Sequence, residues 1–129
     1  MTIAIICTAL LGVIVFGLGF AVSWMRGRLG VNFSYTPDPT DRLYRLVRAH
    51  GNATEYAPML AVLILLVGSR DPSAWALWMM GIATLSRYLH ALGLIIAPTL
   101  EKPEPLRFLG ALGTYLCGLG LCVSAYLTV

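Results

Sequence analysis

Charged residues are almost absent from four long stretches of this chain and collect between them. Residues 3–25 carry no charge at all. At about 1.5 Å per residue this run crosses a hydrocarbon core of ~30 Å. It predicts a first membrane span that closes at Met25-Arg26-Gly27-Arg28. A polar connection with Asn32, Pro37, Asp38 and Pro39 follows. Thr40 or Asp41 is suited to cap the next helix. The second span is expected over about 43–68, with charge in its first half and a plain apolar second half. Ser69-Arg70-Asp71-Pro72 reads as a tight turn, with Pro72 placed in the first turn of a third helix over about 73–96. Ala97-Pro98 ends that helix, because the residue before proline disfavours helical geometry. A fourth span over about 106–127 follows a charged, proline-rich loop. Along it Gly110, Thr114, Gly118 and Cys122 recur every four residues, a ridge that lets another helix come close.

Composition agrees. Of 129 residues 58% are hydrophobic and 12% charged, with mean hydropathy +0.79. A soluble chain of this size cannot bury so much apolar surface. The expected fold is an all-α integral membrane protein, one four-transmembrane-helix domain over 1–129. The net charge of +3 is spread over the loops, so a nucleic-acid partner is not expected. Arg26, Arg28, Arg42, Lys102 and Arg107 flank the first and third connections, and Arg70 the second. The positive-inside rule then places loops 1 and 3 in the cytoplasm and both termini outside. The N-terminal run has no basic start and no small-residue cleavage pattern, so it reads as a retained span. Cys7, Cys117 and Cys122 lie in apolar segments without a metal-binding spacing, and neither a disulfide nor a metal site is expected.

The exceptions to this pattern carry the chemistry. Arg45, Arg48, Asn52 and Glu55 interrupt the second span, and Arg87 and His90 the third. A charge in the bilayer core costs a few kcal/mol unless paired or hydrated. At about 100° per residue, Arg48, Asn52 and Glu55 fall within roughly 80° of Arg45 on one stripe, with Tyr56 at its edge. His50 points away from it. Glu55 lies fifteen residues before Arg70, roughly 22 Å along the axis. Three readings are open: a structural polar network, a proton or cation path, or a pocket for an anionic ligand. The excess of arginine over acid favours the last, since guanidinium groups match carboxylates in geometry. Pro58, one turn beyond Glu55, removes a helical hydrogen bond and bends the helix. Arg87 and His90 share a face, and Arg26 and Arg107 add cations at the same boundary.

The run Arg45-Leu46-Val47-Arg48-Ala49-His50-Gly51-Asn52-Ala53-Thr54-Glu55-Tyr56-Ala57-Pro58 resembles the signature of the MAPEG family, the membrane-associated proteins in eicosanoid and glutathione metabolism. The likeness extends to the arginine pair Arg26 and Arg28, to Arg87 with His90, and to Pro105 with Arg107. It implies a four-helix bundle that assembles as a homotrimer and takes glutathione as cosubstrate between subunits. By match, Arg48, Asn52, Glu55, His90, Arg26 and Arg107 would be the glutathione contacts. Arg45, Arg87 and Tyr56 would support them, and Arg107 and Arg26 would stabilise the thiolate. The prostaglandin E synthase branch has hydroxyl-bearing residues where this chain has Leu94, Phe108 and Ala111, and an arginine where it has Gly51. That branch's activity is therefore not implied.

The resemblance implies a glutathione-dependent transferase or peroxidase acting on a lipophilic small molecule delivered by membrane lipid. The alternative is a non-enzymatic protein that binds lipid or glutathione and presents it to a partner. A small multidrug exporter would need an acid in the first span, which has none.

Overall fold

The computed structural model describes residues 1–33 and 35–127. They form four helices: α1 (Thr2–Leu29), α2 (Arg42–Gly68), α3 (Ala74–Ile96) and α4 (Pro105–Tyr126). No strand occurs among the described residues. All four helices are long and apolar enough to cross a membrane. The chain is an integral multi-pass membrane protein.

Helix ends differ from the sequence expectation where charge was read as a boundary. α1 continues through Arg26 and Arg28. Cationic side chains in a last turn oppose the partial negative charge of the helix C-terminus, so they extend the helix. It stops at Gly30, whose φ of 66° lies in the left-handed region that glycine enters without penalty. Asp41, not Thr40, caps α2, its carboxylate accepting from the Tyr44 amide at 2.7 Å. Pro72 lies outside α3, because Ser73 is the cap residue. Glu104 caps α4 by accepting from the Arg107 amide at 2.7 Å, and Pro105 occupies the first turn. A proline costs nothing there, since that N–H has no helical partner in any case.

α3 and α4 pack most tightly, and glycine is the reason. A Cβ on Gly110 would strike the His90 amide nitrogen and the Ser86 carbonyl. One on Gly93 would strike the Glu104 carboxylate and the Arg107 backbone, and one on Gly113 the Ser86 hydroxyl. Lipid tails are as apolar as leucine, so close backbone approach supplies attraction that hydrophobicity cannot. The predicted ridge is only partly this surface. Gly110 and Thr114 are buried, Gly118 turns toward Leu60 of α2, and Cys122 is exposed. The buried line continues instead through Cys117, Leu121 and Ser124.

α1 packs on α2 and α3, and its backbone does not come close to that of α4. Its small positions admit its neighbours: Ala4 lies against Gly68, and His50 of α2 packs over Gly19. The Tyr88 hydroxyl of α3 donates to the Leu10 carbonyl at 2.8 Å. The main core joins Ala4, Cys7 and Leu11 to Ala57, Leu60 and Ile64 of α2, Met80 of α3 and Leu121 of α4. A smaller one joins Val22 to Leu43 and Leu46. The main core thus fills the end nearer the α2–α3 turn and leaves the polar residues to the other end.

Candidate functional site: a polar groove between α2 and α4

The polar end is organised by one buried cation. Arg87 is 1% exposed. One terminal nitrogen donates to the Thr114 hydroxyl at 3.3 Å. The other donates to both the carbonyl and the side-chain oxygen of Asn52, at 3.2 and 2.5 Å. The Tyr56 ring lies beneath the guanidinium, 5.1 Å from its carbon to the centroid. The charge is held by neutral acceptors and a π face, not by a carboxylate. Its Nε is buried with no partner. These bonds fix the Asn52 amide, whose nitrogen donates in turn to Glu55 at 3.5 Å.

Helical phase shows where the surrounding residues lie. On α4, Ala111 and Tyr115 sit roughly 40° and 80° from Arg107 in one direction, and Gly110 and Gly113 roughly 60° and 120° in the other. The glycines face α3. Tyr115 meets Tyr56 of α2, hydroxyl to hydroxyl at 3.3 Å, and Gly118 turns to Leu60. Arg107, Ala111 and Tyr115 therefore look toward α2. On α2 the groups that touch α1 (Leu43, Leu46 and His50) lie on the flank opposite Arg48 and Glu55. This phase sets Arg48, Asn52, Glu55 and Tyr56 on the flank of α2 away from α1 and Arg107 and Tyr115 on the flank of α4 toward α2, with the buried Arg87 of α3 between the two helices; we take this flank as the candidate groove.

Arg48 and Glu55 are exposed, and among the described residues Arg48 has no hydrogen bond or ion pair. The self-satisfied network considered from sequence is therefore confined to Arg87 and its acceptors. Arg45 ties the rim together: it donates to the carbonyls of Ala97 and Ile95 at the end of α3. At the loop end, His90, Glu101, Pro103, Glu104, Arg107, Phe108 and Ala111 line an open cleft of about 380 Å³. His90 Nδ1 pairs with the Arg107 carbonyl at 2.9 Å, leaving its other ring nitrogen for the cleft. The Arg107 guanidinium donates to the carbonyls of Leu100 and Lys102 at 3.2 and 2.9 Å, so it also holds the connecting loop.

Arg26 is the predicted site residue that does not join the others. It lies on α1, across α2 from the groove, with a buried Nε that has no partner among the described residues. Three contributors escaped the sequence reading: Thr114, Tyr115 and Glu104. Thr114 and Tyr115 sit in an apolar run where one hydroxyl is unremarkable. Their phase relative to Arg107 was the available signal.

Four helices long and apolar enough to cross a bilayer, with arginines, a histidine and an acid along one flank, define a multi-pass membrane protein. The sequence model of the MAPEG family matches residues 4–127, and the chain belongs to that family. Among curated proteins none matches it. Membership fits a glutathione-related transferase, a peroxidase or a related membrane protein.

Proposed function

We propose that the groove binds glutathione and that the protein activates its thiol toward lipophilic electrophiles. The observation that carries this is Arg48, a guanidinium with no partner among the described residues, on the exposed face of a membrane helix and one turn from an Asn52 amide fixed by Arg87. The donor set fits the molecule. Arg48 matches a carboxylate in charge and geometry, the Asn52 amide matches a peptide group, and Glu55 matches an ammonium. Arg107 stands at the loop end, where positive charge beside a sulfur lowers its pKa from ~8.5 and favours the thiolate. No covalent bond from the protein to the substrate is needed. The bilayer concentrates apolar electrophiles, and the groove opens to its side.

Arg26 would join such a site if a neighbouring subunit laid its α1 along the groove, as the homotrimer implied by the family resemblance would allow. The positive-inside rule puts loops 1 and 3, and with them this end of the bundle, in the cytoplasm. A non-enzymatic carrier is the second reading, favoured by the absence of hydroxyls at Leu94, Phe108 and Ala111.

The test is thermal unfolding in detergent with millimolar glutathione. The wild-type protein is expected to be stabilised and Arg48→Ala to lose that stabilisation. No shift in the wild-type protein would overturn the proposal. Thiolate absorbance of the bound ligand near neutral pH distinguishes an enzyme from a carrier.

A further inference from the structure

The end of the bundle opposite the groove carries a second cleft, which the proposed function leaves unused. It holds about 400 Å³ and lies between the α2–α3 turn and the last turn of α4. Arg70, Asp71 and Ser73 of the turn line it, with Trp75 of α3 and Ser124 of α4. α3 begins here without a side-chain cap. Among the described residues nothing accepts from the amides of Ala74, Trp75 and Ala76. Such a terminus favours an anion. Ser124 points to a ligand independently. It is 7% exposed and lines the cleft, yet its hydroxyl has no hydrogen-bond partner among the described residues. Thr84 and Thr114 satisfy theirs on the carbonyl one turn back, and Ser124 does not. A buried hydroxyl is rarely left without a partner.

The charge around the cleft is mixed. Arg70 and the start of α3 are positive. Asp71 is an acid that makes no hydrogen bond or ion pair among the described residues. α2 and α4 both end at the cleft and bring the partial negative charge of their C-termini. A plain anion would meet both signs, whereas a zwitterion satisfies both. The surroundings are those of lipid. The cleft stands where the apolar spans end, at the level of the headgroups. Trp75, Trp78, Ile82 and Leu85 are exposed and spaced three and four apart. They form one apolar stripe that runs from the cleft about 15 Å along α3.

We propose that this cleft binds the headgroup of a phospholipid that carries a primary ammonium. The α3 amides, the Arg70 guanidinium and the Ser124 hydroxyl take the phosphate, and Asp71 takes the ammonium. An acyl chain follows the stripe on α3. A choline headgroup has the same phosphate but no N–H to donate, and a glycerol headgroup has no cation. Inorganic phosphate lacks both the ammonium and the chain.

The probes are dioctanoyl phospholipids with ethanolamine, choline or glycerol headgroups, and inorganic phosphate. Each is added to delipidated protein in detergent and followed by thermal unfolding, with native mass spectrometry to count bound lipid. The ethanolamine lipid is expected to bind about tenfold tighter than the other two, the effect of one charge-assisted hydrogen bond. Phosphate at the same concentration should give no shift. Ser124→Ala should weaken the ethanolamine lipid about fivefold, the effect of one neutral hydrogen bond. Asp71→Asn keeps a residue type that tolerates the φ of 53° found there. It should abolish the preference for ethanolamine over choline, and it serves if Ser124→Ala does not fold. Equal binding of the ethanolamine and choline lipids by the wild-type protein overturns the proposal. So does a shift with inorganic phosphate as large as that with the lipid. Unchanged affinity in Ser124→Ala, or an unchanged preference in Asp71→Asn, overturns it as well. The glutathione-induced shift reports on the other end of the bundle and should stay at its wild-type value in both variants.

Discussion

Gly110→Ala tests whether backbone contact between α3 and α4 holds the site. The added methyl would meet the His90 amide nitrogen, the His90 Cα and the Ser86 carbonyl, all closer than 3 Å. Two effects compete. Alanine is the better helix former by about 1 kcal/mol. Overpacking costs about 1–3 kcal/mol even when side chains can turn aside. Here the obstacle is the backbone of a neighbouring helix, which cannot turn aside, so the upper end of that range applies. The expected net loss is about 2 kcal/mol, roughly a thirtyfold change in the folded-to-unfolded ratio. It is read from unfolding in detergent titrated with SDS. Gly118→Ala is the control on the same helix. Its methyl would find Leu60 at 3.7 Å, an ordinary contact, so the variant should match or exceed wild-type stability. If Gly110→Ala is as stable as Gly118→Ala, close packing at this glycine is not what holds α3 against α4. The substitution should also weaken glutathione binding, because it separates His90 from the Arg107 carbonyl.

Arg87→Leu should destabilise the protein by about 1–3 kcal/mol, since the side-chain oxygen of Asn52 loses its donor. Arg87→Lys should not restore it, because a point charge cannot span Asn52 and Thr114 as the planar fork does; detergent unfolding measures both. Asp41→Ala should cost about 1 kcal/mol by removing the bond to the Tyr44 amide, and Asp41→Asn much less, by the same assay. In the first loop the amide and hydroxyl of Thr40 hold the Asp38 carboxyl below the usual carboxylate range. A depressed folded pKa means the local stabilisation is complete above the unfolded value of 3.8 and is lost as pH falls through the folded one. The protection factor of the Thr40 amide, its rate relative to the intrinsic exchange rate at each pH, should therefore hold at neutral pH and fall only in acid.

Much of this architecture is written in the hydropathy pattern. Spans of twenty or more apolar residues have one stable form in lipid, and all four are found within a few residues of the expected ends. The helix outruns the expected span most at the end of α1, because charge marks where the hydrocarbon stops, not where the helix does. The stripe Arg48, Asn52, Glu55 and Tyr56 follows from helical phase alone. Phase cannot say which way a stripe faces, and the exposure of Arg48 beside the burial of Arg87 needed the bundle. Nor could spacing reveal that Arg26 stands across α2 from its supposed companions, because sequence distance carries no information about which helices touch. Tyr115 was missed because a hydroxyl inside an apolar run stands out only once its helical phase is set against Arg107.

The setting of Arg87 bears on how the chain is made. Its acceptors come from Asn52, synthesised before it, and from Thr114, synthesised after it. α3 thus enters the membrane with a guanidinium that has only part of its coordination. A centrally placed arginine without partners costs about 2.5–3.5 kcal/mol on insertion scales. A nascent polypeptide that ends before α4 would lack the Thr114 acceptor, so a chain truncated there is expected to insert its third helix less completely than one that carries the fourth.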